Sequence, residues 1–322
     1  MKCSIAPWAC ALALSGLALG AEIAPPASGR RIAITFDDLP AVSVPAGQTC
    51  DLAALKANTA KLLATLTARA VPIVGFVNEG RICKTLGQDA LPSLLNMWLD
   101  AGAELGNHTF SHVDIDATTV SLYEGDIVRG ESVTSKLLSE RGRTERYFRY
   151  PFLNSGKNQD IKTAIDSFLA KHGYTVAPVT IVSNEWMFAA IYADAKERGD
   201  VATMKLVTDA YVPYMEKVVG YFEHASTRLF GHEISQVILV HASALNADTA
   251  DQLIAMLQSR SYRFVTLGEA LQDPAYATPD GYVGSDGFSC LLHWAQTENM
   301  LMAPRPAEPA VIRNLYAQIA AK

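Results

Sequence analysis

Arg31-Ile-Ala-Ile-Thr-Phe36-Asp37-Asp38 is an apolar run that stops on two adjacent carboxylates. Ile32, Ile34, Thr35 and Phe36 favour an extended, buried strand, and the sudden change to charge marks its carboxyl end. The rhythm continues along the chain. Asp51 suits the N-cap of a helix with Leu52, Leu55, Leu62, Leu63 and Leu66 on one side, and Pro72 then opens a strand over 73–77. A helix around 94–99, stopped by Gly102, leads through a short strand into Asn107-His108. One long helix is predicted over 120–138, a strand over 146–150, and a helix marked by Ile161, Ile165, Phe168 and Leu169 that closes at His172-Gly173. Strands at 174–181, 237–240 and 263–265 and a helix with Leu253, Ile254 and Leu257 complete the pattern.

Strand alternating with helix through short links predicts a parallel α/β architecture. Asp37-Asp38, His108, Arg149 and His241 all fall where strands end, so a parallel barrel would gather them on one rim. An open doubly wound sheet would also collect them on one side. Residues 192–230 depart from the alternation as an inserted helical excursion, with Pro213 predicted to kink it, and 273–322 form an irregular C-terminal extension with a short helix near 311–320.

At 322 residues, 49% hydrophobic and 19% charged, the chain is long and apolar enough for one barrel-sized core. The net charge of −6, without a run of like charges, argues against a nucleic-acid partner. Met1-Lys2 followed by an uncharged Ala/Leu-rich run and Ala18-Leu19-Gly20 reads as a secretory signal peptide over 1–20, with a Pro/Ser/Gly linker at 21–30. This predicts an exported protein, periplasmic or secreted, with no stable membrane insertion after cleavage; an uncleaved anchor is the alternative reading. Oligomeric state is not encoded in any pattern. Cys50 and Cys83 flank one helical unit and can pair in an oxidising compartment, leaving Cys290 buried. Cysteine spacing fits no zinc pattern, so a metal here must be held by histidine and carboxylate.

His108-Thr-Phe-Ser-His112 offers two histidines at i and i+4, which on a helical turn share a face and can reach one ion. Two ordinary histidines at a strand-to-helix junction are the plainer alternative. In Asp37-Asp38, one carboxylate can bind an ion while the other holds or deprotonates a water, or the pair can cap the next turn.

Together, Thr35-Phe-Asp-Asp38, His108-Thr-Phe-Ser-His112, Arg149-Tyr-Pro-Phe152 and Leu239-Val-His241 resemble, in order and spacing, the motifs of the NodB-homology polysaccharide deacetylases, carbohydrate esterase family 4. The likeness spans 31–272. It implies a distorted (β/α) barrel of about seven parallel strands and a divalent metal, usually zinc, used to hydrolyse N-acetyl groups on a carbohydrate substrate. Carried over, Asp38, His108 and His112 would be the metal ligands, leaving positions open for water and substrate. Asp37 would be the general base and Arg149 the arginine that orients it. Pro151-Phe152 would bring a backbone N–H to the oxyanion, and His241 would be the general acid for the leaving amine. Leu239 and Trp186 resemble the two walls of the acetyl pocket, although a plain core tryptophan also fits Trp186.

The chain departs from the family pattern in three places. Leu39-Pro40 stands where a glycine commonly follows the aspartates, and Asn154-Ser155-Gly156 replaces an earlier glycine of the third motif. The fourth motif lacks its aspartate, and Glu185 is the nearest carboxylate, which leaves the tuning of His241 open. His172, His224, His232 and His293 are assigned to helix ends, loops or surface. Other readings of the same apparatus are an acetyl-xylan esterase and a hydrolase of small cyclic amides or imides; a non-catalytic glycan-binding protein is the alternative from another class.

Overall fold

A computed structural model describes residues 29–40, 50–285 and 287–321. The expected signal peptide and most of the linker lie outside the described residues. Strand β1 (Arg30–Leu39) is followed by α1 (Leu52–Ala68), β2 (Ile73–Val77), α2 (Ala90–Asp100) and β3 (Glu104–Asn107). Helices α3 (Val120–Arg129) and α4 (Thr134–Ser139) precede β4 (Tyr147–Phe148), α5 (Gln159–Lys171) and β5 (Thr175–Val176). The chain continues through α6 (Glu185–Glu197), α7 (Val201–Phe230), β6 (Gln236–His241), α8 (Ala244–Ser259), β7 (Tyr262–Phe264), α9 (Leu267–Ala270), α10 (Cys290–Thr297) and α11 (Ala310–Ala320).

All strand pairings are parallel, in the order β5-β4-β3-β2-β1-β6, with β7 joined to the amino-terminal end of β1. The stretch leaving β5 curls round until Ile181 bridges Ile238 of β6. The sheet thus returns on itself as a distorted (β/α) barrel, not the open doubly wound alternative. Burial explains the central position of β1: Ile32 to Leu39 are all buried, as expected of a parallel strand covered on both faces. Trp98 from α2 is fully buried and meets Phe36 with ring centres 5.4 Å apart.

Asp51 caps α1 by accepting from the Ala54 amide, and Gly102 (φ 86°) follows α2 in a left-handed turn that most side chains avoid. Strand spacing depends on Gly106 in β3, where a Cβ would lie 2.7 Å from the Tyr147 carbonyl oxygen. Gly106→Ala is expected to destabilise the protein by about 1–3 kcal/mol through overpacking against backbone. An unchanged denaturation midpoint would show that β3 and β4 can separate freely.

Several expected boundaries are corrected. The single helix over 120–138 is two, because Glu79 reaches in to accept from the Val133 and Thr134 amides and the Ser132 hydroxyl, starting α4 afresh. The strands expected over 146–150 and 174–181 shrink to two residues each where the sheet bends. The helical excursion begins at Glu185, not at 192, and α7 runs as one 30-residue helix through Pro213. Within the C-terminal extension, α10 was not expected; it buries Cys290, Leu291, His293 and Trp294, so His293 is neither at a surface nor in a loop. Cys50 and Cys83 form a disulfide, and Cys290 is free and buried. Among the described residues, no helix is long and apolar enough to cross a membrane.

Candidate active site

The β1–β2 register slips between Phe36 and Leu39, and Asp38 takes a left-handed backbone conformation (φ 62°) at the slip. An irregularity of this kind breaks the strict alternation of a strand and re-aims its side chains. Here it brings both aspartates to the carboxyl rim, where they are almost fully buried, with Asp37 beside His241 of β6 in register.

Arg149, 1% exposed, supports Asp37 from below. Its Nη1 donates to Asp37 Oδ1 and Oδ2 at 3.2 and 3.3 Å, its Nη2 donates to Thr35 Oγ1 at 3.2 Å, and the guanidinium carbon lies 4.4 Å from the centre of the Phe76 ring. A buried charge needs such pairing to be tolerated. Burial pushes the Asp37 carboxyl above its ordinary value, against the opposing charges of Arg149 and His241. A carboxylate so raised is a better proton acceptor than a solvated one.

His108 and His112 do converge on Asp38, but through a loop and not a helical turn. After β3 the chain makes left-handed turns at Thr109 (φ 61°) and His112 (φ 57°), each costing about 1–2 kcal/mol for a residue with a Cβ. Local hydrogen bonds hold that loop. Thr109 donates its amide to Asn107 Oδ1, His112 donates its amide to Thr109 Oγ1, and the Ser111 amide and hydroxyl both donate to Asp126 Oδ2. Asn78 closes the other side by donating to the carbonyls of His108 and Thr109. Asp126 and Asn78 carried no recognisable signal in the sequence, because both act through backbone groups distant in the chain.

His108 Nδ1 lies 2.7 Å from the Arg149 carbonyl. A carbonyl only accepts, so Nδ1 carries the proton and Nε2 presents its lone pair. Nε2 of His108 and of His112 lie 3.7 and 3.3 Å from Asp38 Oδ1, and donor atoms of the three residues are all within 4.8 Å of one another. Burial holds both imidazoles down at about 4, against the nearby Asp38 charge, so both rings are neutral at physiological pH. Asp38 Oδ1 is buried with no hydrogen-bond partner among the described residues, whereas Oδ2 meets Arg81 Nη1 at 3.1 Å. Two neutral nitrogen donors beside one anionic oxygen that has no hydrogen-bond partner among the described residues fit a divalent cation. Arg81 was missed in the sequence, although its place just beyond β2 on the same rim was a usable signal.

The remaining expected groups are placed differently. Phe152 (φ 58°) and Leu153 (φ 57°) are both left-handed, and the half-exposed Phe152 ring meets His112 edge-on with centres 4.5 Å apart. The Leu153 and Asn154 amides donate to Tyr150 and Pro151 carbonyls, while the Phe152 amide has no acceptor among the described residues. Leu239 is buried two residues before His241, on the same side of β6. Trp186 is 39% exposed at the start of α6 and leans on Tyr316 of α11. Its exposure rules out the plain core alternative.

The open question at the fourth motif has a geometric answer. Glu185, wholly buried, accepts from both the backbone amide and Nδ1 of His241, at 2.7 and 2.6 Å. One carboxylate oxygen thus fixes the position, the ring orientation and the protonated Nδ1 of this histidine. Burial works against the charged ring, yet Glu185, with Asp38 and Asp37 beyond it, outweighs burial and raises its pKa to about 9.

Residues 24–177 match the family model described as polysaccharide deacetylase. Over that stretch the chain matches the polysaccharide deacetylase family. No curated protein sequence matches it. Among solved structures, it is similar to the peptidoglycan deacetylase PdaC from Bacillus subtilis (21% identity, 76% of this chain and 91% of that one, TM-score 0.47). It is also similar to the chitin deacetylase of the fungal pathogen Colletotrichum lindemuthianum (19% identity, 80% and 92%, TM-score 0.49). A third is BA3943, a family 4 pseudoenzyme from Bacillus anthracis (13% identity, 76% and 66%, TM-score 0.45).

Proposed function

We propose that this protein is a metal-dependent hydrolase of the polysaccharide deacetylase family that removes acetyl groups from an N-acetylated glycan. The observation carrying the proposal is the placement of a buried base and a protonated histidine, Asp37 and His241, beside the Asp38–His108–His112 cluster. Such a set divides proton acceptance from proton donation, which amide hydrolysis requires. Asp38, His108 and His112 would hold a divalent ion, with zinc best suited to the two nitrogens and one oxygen. When bound, the ion supplies Lewis acidity toward an acyl oxygen and acidifies water.

The chain's own residues perform the rest. Asp37, held at both oxygens by Arg149, accepts the proton of the attacking water. The Phe152 amide, which has no acceptor among the described residues, points to stabilisation of negative charge developing on the acyl oxygen. His241 delivers its proton to the departing amine, and Glu185 steadies the cationic ring before that transfer. Leu239 and Trp186 would flank the acetyl methyl. Signal-like residues 1–20 support export, and hence a glycan outside the cytoplasm as substrate.

The acid role fixes a pH sign. A general acid works while protonated, so activity falls as pH rises through the His241 pKa. Glu185→Gln removes the charge that raises that pKa and should move the alkaline limb of kcat/KM about 1–2 units lower, with metal content unchanged. An unmoved limb would separate Glu185 from the acid. Acetate measured over chitin oligomers, peptidoglycan and acetylated xylan tests the amide reading against the esterase one. Ring opening of a cyclic imide with no acetate from any of the three would favour the small-amide reading, and neither reaction would favour a binding protein.

A further inference from the structure

Between α5, the stretch leaving β5 and the C-terminal extension lies a cavity of about 490 Å³ that no step of the proposed reaction uses. Its walls include Leu169, Val179, Phe288 and Trp294. The volume falls within the range of small-molecule pockets.

Two buried polar atoms on its lining lack partners among the described residues: Nε of Arg149, which is 1% exposed, and Nε2 of His293, which is 6% exposed. Unmet polar atoms are costly when buried, and two on one cavity call for an occupant that satisfies them. Their characters differ. Arg149 Nε is a donor only. His293 Nδ1 lies 3.2 Å from Asp280 Oδ2, so in the neutral ring Nδ1 holds the proton and Nε2 is an acceptor. The ring is clamped between Tyr282, stacked at 4.2 Å, and the edge of Phe288 at 4.9 Å, which prevents it turning away.

The two buried cations of the lining are already paired: Lys162 is bound by Asp280 and by two backbone carbonyls, and Arg149 by Asp37. Asp166, which is exposed, accepts from the neutral Tyr150 hydroxyl. An anion would therefore lose its hydration without a free counter-charge, and Arg149 Nε, a donor only, offers nothing to a cation. We infer that this cavity is a second binding site, for a small neutral molecule with an apolar ring and a hydroxyl group that donates to His293 Nε2 and can accept from Arg149. The lining includes none of the three metal-cluster residues, but it shares Arg149 with the Asp37 pair of the proposed reaction.

The test is a ligand-observed NMR titration of the full chain with phenol, toluene and benzoate, repeated on His293→Phe. Phenol is expected to bind at least about fivefold more tightly than either of the others, the worth of one hydrogen bond to a buried acceptor. In His293→Phe, phenol and toluene should bind within about twofold of each other. The inference is overturned if toluene matches phenol in the unmodified protein, if benzoate binds best, if none binds up to about 10 mM, or if the phenol preference survives in His293→Phe. Should that variant fail to fold, the three probes on the unmodified protein decide alone.

Discussion

Asp37→Asn is expected to lower acetate release by about 10²–10⁴-fold, the span usually lost with a general base, while the metal content of the protein stays the same. Asparagine keeps the size and one acceptor oxygen, so it can still meet Arg149 Nη1, but it cannot take up a proton. The variant also leaves the buried Arg149 charge without its counter-ion, which costs about 3–5 kcal/mol where a buried pair is broken. A lower melting temperature should accompany the lost activity. Activity at the unmodified level, in folded protein with unchanged metal, would remove Asp37 from the role of base.

Asp38→Ala should act one position along and in a different way. It removes the only anionic donor of the cluster, leaving two neutral imidazoles. Metal affinity should fall by more than the roughly 10–100-fold that loss of a mere supporting residue brings. Acetate release should fall with occupancy and return in part at high metal concentration. The pair separates chemistry from binding: Asp37→Asn keeps the ion and loses turnover, whereas Asp38→Ala loses both. Full metal occupancy in Asp38→Ala would refute the ligand set.

Much of this arrangement was legible in the sequence because parallel α/β chains put their chemistry at strand ends. The change from apolar to acidic at Phe36-Asp37 located the rim, and Asp37, His108, Arg149 and His241 do gather there. Local periodicity could not show how the two histidines meet. The i, i+4 spacing suggested a helical turn, but left-handed turns at Thr109 and His112 bring the rings together, held by Asp126 and Asn78 from elsewhere in the chain. The same non-local cause split the helix expected over 120–138, since the Glu79 carboxylate that starts α4 lies more than fifty residues earlier. Glu185 was visible as a carboxylate near the fourth motif, yet only the approach of α6 to β6 shows that it reaches His241 Nδ1. Helix α10 escaped notice because it is short and follows a stretch interrupted by two prolines and three glycines, Pro274, Pro279, Gly281, Gly284 and Gly287.

Metal dependence of amide hydrolysis is tested most directly by acetate release from N-acetylated chitin and peptidoglycan oligomers by the purified protein, after chelation and again after adding back one equivalent of zinc. Chelation is expected to abolish release and zinc to restore it. Release of equal rate in the chelated, metal-free protein would contradict a metal-dependent deacetylase.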